Sequence, residues 1–558
     1  MISLVLLVVV VVLTTTLYTV GRYFHDSKKL RRFPSPSFAA FSPLWLMYHS
    51  WRARQYKAVQ AAHEKYGPVV RISPNHVSFT APGAYKDIYG FGNSIIKDDM
   101  YFHMSGGNPS MATATDKHMH AEKRRSLAHV FSAKEITAME PRVQEMVAKL
   151  LRDIHIKSAG GKVSDLDPYE TYPDGTFDIR PWLNMLTYDA ISAMFFSNTY
   201  GMLDKGVDLC PSRSASGATK WVHGMDSFHS GGAFNTLFSH LPLAWNNVGR
   251  RIFRFAHGAS ALSNFAGMSR HQVHTRLRAQ PAEPDLFSRL PTAPTEKRAV
   301  PMSFDELVAE CATMLDAGND TTQTALTNCI YHLAAHPIVQ TKLRNILLEE
   351  VPPTSQPIAS YQELKHIAYL RAVLDESFRC RPPVARGLPR RTTAAGAVIA
   401  GHCIPAGVTI SAPIWNVHHN AELFPEPDSF VPERWMPNDN SNSNSVPPTS
   451  TSSSTNYAYR APDPSDNYTY YTTPQEAHNL KTHVLPFHLG PRACIGRNLA
   501  YMELSIVIAA LLLGFEWELA GGRGGGEGHT PALETVERFN CNVKELFVKV
   551  KGREGMVF

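Results

Sequence analysis

Near the C-terminus the chain reads FHLGPRACIGRNLA, from Phe487 to Ala500. A single cysteine, Cys494, sits there between two glycines, Gly490 and Gly496, and two arginines, Arg492 and Arg497. The glycines permit tight turns and close approach of another group to the backbone. The apolar run from Leu499 to Leu513 has helical character, so Cys494 falls just before a helix N-terminus, where the dipole lowers a thiol pKa. Five uses fit such a residue: a buried thiol, half of a disulfide, a zinc ligand, a nucleophile, or the thiolate ligand of a haem iron. The seven cysteines are scattered, odd in number and free of CxxC pairing, unlike a secreted disulfide scaffold or a zinc ribbon.

Other residues carry chemistry by their spacing. Asp320 and Thr321 follow Gly318 inside an apolar helical stretch; an acid beside a hydroxyl, next to a glycine that lets a helix open, suits proton delivery through ordered water. Glu376 and Arg379 stand i, i+3 on one helix face and can pair, with Arg434 arriving from a later loop. His120 and Arg124 stand i, i+4 and share a face on another basic helix.

These residues need elements to hold them. The stretch from Pro301 to Pro337 predicts one long helix, with Ser303 and Glu306 as a capping box and Leu307, Cys311, Leu315 and Ala325 on its apolar side. A helix is expected to stop at Tyr66-Gly67-Pro68, followed by two short strands at 69–72 and 76–80. Helical periodicity returns over 118–131 and 141–154, and 158–175 reads as a surface loop.

The chain has 558 residues, 44% hydrophobic and 19% charged, with a net charge of +6. That is globular composition with no nucleic-acid footprint. Residues 2–20 carry no charge and are followed by Arg22, Lys28, Lys29, Arg31 and Arg32. This predicts a transmembrane anchor over 1–21, with the basic flank and the remainder on the cytosolic side. A basic, proline-containing linker is expected over 22–50, then one large domain over 51–558, interrupted by a polar, low-complexity and loosely ordered insertion at 437–480.

Phe487, Gly490, Arg492, Cys494 and Gly496 together match FxxGxRxCxG, and the chain resembles the cytochrome P-450 superfamily of haem-thiolate monooxygenases. Three more motifs follow the family's order: Ala317-Gly318-Asn319-Asp320-Thr321-Thr322, Glu376 to Arg379, and Pro432-Glu433-Arg434-Trp435. The resemblance runs from Trp51 onward. It implies a mainly α fold with small β-sheets behind one N-terminal transmembrane helix, and haem b (iron protoporphyrin IX) as cofactor. Cys494 is then the metal ligand; Arg492, His120, Arg124 and Arg390, with Phe487, Gly490 and Gly496, support the haem. Glu376, Arg379 and Arg434 form a structural network behind it, and Asp320 and Thr321 are catalytic. Phe102, Met104, Met111, Met314, Leu315 and Val384 line a substrate pocket.

The same resemblance implies an enzyme that inserts one atom of O2 into a hydrophobic small molecule, with electrons from NADPH through a separate NADPH-cytochrome reductase or cytochrome b5. The reductase is expected on a basic face with Lys123, Arg125 and Arg497. Stretches such as GMLDKG and VPERW look closest to fungal members, among them benzoate para-hydroxylases and secondary-metabolite oxidases. Alternatives are a reductase-independent isomerase or dehydratase, and a benzoate-type aromatic para-hydroxylase in detoxification. The expected location is the endoplasmic reticulum membrane, single-pass, facing the cytosol; no nucleic-acid partner is expected.

Overall fold

The computed structural model of the chain describes residues 17, 19–292, 301–436, 474–520 and 533–553. Most of the expected membrane helix and most of the expected insertion lie outside the described residues.

The helices that matter for the site are α1 (Leu44–Trp51), α2 (Gln55–Tyr66), α3 (Asp99–Met104), α4 (Lys117–Ala128), α5 (Ala133–Ser158), α6 (Arg180–Phe196), α7 (Gly224–Ser239), α8 (Leu243–Ile252), α9 (His257–Arg278), α10 (Phe304–Ala335), α11 (Ala368–Cys380) and α12 (Arg497–Gly514). The strands are short: β1 (Val69–Ser73), β2 (His76–Phe79), β3 (Ile96–Lys97), β4 (Arg390–Arg391), β5 (Thr409–Ser411) and β6 (Cys541–Val543). Five of them form one sheet in the order β1-β2-β5-β4-β3. β5 runs parallel to β2 and antiparallel to β4, and β3 closes the edge with Lys97 opposite Arg390.

Helix α10 is the long helix expected from the sequence. Its capping box is present: Glu306 N donates to Ser303 Oγ at 3.2 Å, and Ser303 N donates to Glu306 Oε2 at 3.1 Å. At 1.5 Å per residue it is about 48 Å long, enough to cross the domain. It packs on α6, a helix apolar nearly all round, of which only Arg180 is less than fully buried. Gly318 makes the crossing possible, since a Cβ there would come within 2.8 Å of Ile191 Cδ1. Among the described residues only α12 is long and apolar enough to cross a membrane; it is 83% buried inside the domain and serves as core.

The expected linker is not one along its whole length. Leu30 and Phe33 are buried against the five-stranded sheet, and Trp45 and Leu46 of α1 pack on Val70 and Ile72. Periodicity over a short helix flanked by prolines is too weak to separate a packed segment from a spacer.

Behind the site lies a fully buried ionic knot. Glu376 Oε1 and Oε2 accept Arg379 Nη2 and Nε, both at 2.9 Å, and Oε1 also accepts Arg434 Nε at 2.9 Å. Val431 N and Trp435 Nε1 add two more donors at 3.0 Å. Burial by itself would raise the Glu376 pKa, but Arg379 and Arg434 hold it below the usual carboxylate range. Removing one partner of a buried pair leaves an uncompensated charge, which costs about 3–5 kcal/mol. Glu376→Gln is therefore expected to lower thermal stability by that order, read as a fall in unfolding midpoint. A midpoint equal to wild type would show that the knot adds nothing.

Candidate active site

The Cys494 loop is held from three sides. Cys494 N donates to Phe487 O at 2.8 Å, closing the turn. Gly490 has φ +75°, and a Cβ there would lie 2.0 Å from Tyr89 O, so only glycine fits. Phe487 stacks edge-on against Phe378 of α11 at 5.3 Å and contacts Tyr501 of α12 at 5.1 Å. The same helix that carries Glu376 and Arg379 thus braces the cysteine loop.

Cys494 is exposed, yet protein crowds it: burial pushes its pKa up and outweighs the Gly496 amide, Arg124 and Arg497, which pull it down, so the lowering expected ahead of α12 does not prevail in the protein alone. A group both accessible and enclosed faces interior space. Those three groups favour the thiolate, the form that ligates metal.

Five basic side chains gather next to this loop. Arg124 of α4 donates Nη1 to Ala493 O at 2.8 Å, and Arg492 donates Nη1 to Ala114 O at 2.6 Å. Arg390 of β4 is buried, with Nη1 3.5 Å from the Tyr101 hydroxyl. Lys97, its cross-strand neighbour, donates to Ala112 O. His120 is buried one turn before Arg124. Among the described residues none of the five forms an ion pair. Burial and the neighbouring cations push His120 to about 3 and Arg492 down to about 10, and they hold Lys97 well below its usual range. Like charges paired across a sheet are destabilising, so this ring fits an anionic ligand. The donor set fits a haem, with Cys494 for the iron and Lys97, His120, Arg124, Arg390 and Arg492 for two propionates. Arg391, by contrast, pairs with Asp99 and stays out of the ring.

Lys97 was not among the sequence candidates. Its signal is the register of a two-residue edge strand, which no local pattern reveals.

The catalytic candidates separate. Thr321 Oγ1 donates to Ala317 O at 2.6 Å, one turn back along α10. Asp320 turns elsewhere and does not hydrogen-bond to Thr321. Its carboxylate accepts Asn540 Nδ2 at 2.7 Å and Asn542 Nδ2 at 2.6 Å near β6, with Gln323 Nε2 at 3.3 Å. His229 Nε2 of α7 lies 3.2 Å away, and Arg180 Nη2 approaches the other ring nitrogen at 3.4 Å. Burial would raise the Asp320 pKa, but these donors lower it, so the group is ionised. His229, Asn540 and Asn542 come from distant segments and were not legible beforehand.

Of the pocket candidates, Phe102 is exposed and Met104 and Val384 are half-buried. Met111 is buried, its amide donating to Glu310 at 3.0 Å. Met314 and Leu315 belong to the main apolar core; the open face of α10 presents Thr313, Asp316, Ala317 and Thr321. Lys123 is a correction. It is buried against α10, 2.9 Å from Glu310 and 3.5 Å from Glu306, so it cannot belong to a docking face. Helix spacing placed it beside Arg124 but not which face met α10. Arg125 and Arg497 are exposed.

The class of protein follows. The family profile for cytochrome P-450 matches residues 34–525, and the chain belongs to that family. It is a cytochrome P-450 monooxygenase, an oxidoreductase with the mainly helical fold of its family. Its relatives span nearly the whole chain. Benzoate 4-monooxygenase of Aspergillus niger is 29% identical over 500 residues, 88% of each chain. Trichothecene C-15 hydroxylase of Fusarium sporotrichioides is 29% identical over 513 residues, 90% of this chain and 89% of its own.

The cation ring makes a two-sided prediction. Lys97→Met removes repulsion when no anion is bound and a partner when one is. The haem-free variant should unfold at a higher temperature than wild type. The haem-loaded variant should lose haem to an excess of apo-globin roughly tenfold faster, the scale of one charge-assisted contact. Equal transfer rates would remove Lys97 from the propionate site.

Proposed function

We propose that this chain hydroxylates a hydrophobic small molecule of fungal secondary metabolism, drawing electrons from NADPH through a separate NADPH-cytochrome reductase, with cytochrome b5 as a second candidate donor. The observation that carries this reading is the accessible thiol of Cys494 beside five basic groups that form no ion pair among the described residues. A bound haem would supply O2 reduction, its thiolate pushing electron density toward O–O cleavage. The protein does the rest. Arg124, Arg390, Arg492, Lys97 and His120 would hold the propionates. Thr321 spends its proton on Ala317 O, which leaves its lone pairs free to accept from water or substrate. Asp320, ionised and bound to His229, holds no proton as it stands, and it must leave part of its network to take one up and pass it on.

The test is the reduced, carbon monoxide-bound spectrum of wild type and Cys494→Ser, followed by NADPH consumption with a reductase. A strongly red-shifted Soret band lost in the variant, with substrate-dependent NADPH use, is expected. Turnover without NADPH would instead establish the isomerase or dehydratase reading.

We also place the protein in the endoplasmic reticulum membrane by a single N-terminal span, its domain facing the cytosol. An exposed apolar surface supports this: Leu44, Tyr48 and Trp51 of α1 adjoin α7, and α8 beyond it exposes Trp245, Val248 and Ile252. Exposed apolar side chains gathered on neighbouring helices are characteristic of membrane or protein contacts. In intact microsomes, protease added from outside should digest the domain while carbonate washing leaves the chain in the membrane. Protection from protease would reverse the topology.

A further inference from the structure

Asp316 precedes Ala317 on α10 and stands one turn before Asp320. It and Ala317 are open to solvent-sized molecules, although the adjoining flank of α10 is sealed against α6, where Gly318 meets Ile191 and Asn319 accepts from Thr187. Yet protein surrounds the carboxyl: burial, with a contribution from Asp320, pushes its pKa up to about 7. As at Cys494, accessibility combined with enclosure describes a group lining interior space.

The loop ahead of α4 locates that space. Its Ser110 hydroxyl accepts the Thr313 hydroxyl of α10 at 2.7 Å, three residues before Asp316. Its Ala112 and Ala114 carbonyls accept from Lys97 and Arg492 of the cation ring. One loop therefore joins the open face of α10 to the ring around the cysteine.

Beyond the first turn of this helix three carboxylates follow one another, Glu310, Asp316 and Asp320, and two are satisfied. Glu310 is taken by Lys123 and the Met111 amide. Asp320 is taken by His229, Gln323, Asn540 and Asn542. Asp316 has no hydrogen-bond or ion-pair partner among the described residues. An accessible carboxylate that no protein group satisfies is left to meet a ligand, and in a ligand cavity the few polar groups set orientation and specificity.

We infer that Asp316 is a specificity-determining residue that selects a substrate carrying a positively charged nitrogen, which its carboxylate meets inside the cavity. This rests on the monooxygenase reading and adds the substrate class. A cation there replaces the lost hydration of the carboxylate; an anionic group such as a benzoate carboxylate at the same place is repelled.

The test uses full-length, haem-loaded protein and two probes in equilibrium dialysis. One is phenylbutyl-trimethylammonium; the other is its uncharged isostere with a tert-butyl group in place of trimethylammonium. A quaternary nitrogen has no lone pair, so it cannot bind by ligating a metal. Wild type should prefer the cation by roughly tenfold or more, the scale of a contact with a charged group. Asp316→Asn should remove the preference and leave affinity for the uncharged probe within about twofold, while Asp316→Glu should retain the preference. Equal affinities in wild type, or a preference that survives in Asp316→Asn, would overturn the assignment. The carbon monoxide spectrum of the same samples separates the two claims. A missing thiolate band in wild type with an Asp316-dependent preference intact would sink the haem-thiolate reading and leave Asp316 as a cation-binding residue.

Discussion

A carboxylate sealed away from water between two guanidinium groups fixes most of what surrounds the site. Glu376 cannot be left without Arg379 and Arg434, nor they without it, because each would then be an unpaired charge in a medium that solvates it poorly. Arg379 extends the constraint, donating also to the carbonyls of His418, Pro427 and Ser429. One helix turn thereby dictates the path of a loop some fifty residues later in the chain. Phe378, between the two charged residues, carries the constraint to Phe487 and so to the cysteine loop.

On that fixed platform the chain assembles an arrangement that is unfavourable by itself. Lys97 and Arg390 are forced opposite each other by β-sheet register, with Arg492 and Arg124 close by. Like charges at such range repel, and burial weakens the screening that water would supply. A rigid frame and a dianionic ligand are two ways to meet that cost, and the fold provides for both. Lys123 makes the contrast clear. It lies one residue from Arg124 but turns the other way, into a complete ion pair with Glu310 that bolts α4 to α10.

The distal side divides its acids in a similar way. Asp320 is locked as an ionised carboxylate by side chains from three separate segments, whereas Asp316 stands open, with no partner among the described residues. Two carboxylates one turn apart on one helix thus have pKa values pushed in opposite directions by what faces them.

Much of this was legible in the sequence because it is local. The capping box starting α10, the FxxGxRxCxG loop and the i, i+3 pair of Glu376 and Arg379 each depend on neighbours within a few residues; Gly318, read as a place where the helix opens, instead makes room for Ile191 of α6. Residue order also determined the helical class and the position of the cysteine before α12. What only tertiary structure decided was which way each side chain faces and what meets it. Lys97 joins the cation ring through strand register; Lys123 leaves the surface through helix packing. Asp320 finds Asn540 and Asn542 across 220 and 222 residues of chain, and Asp316 finds no partner at all among the described residues. Local spacing sets the face of a helix, but the dielectric, the partners and the charge state of that face belong to whatever the rest of the chain folds against it.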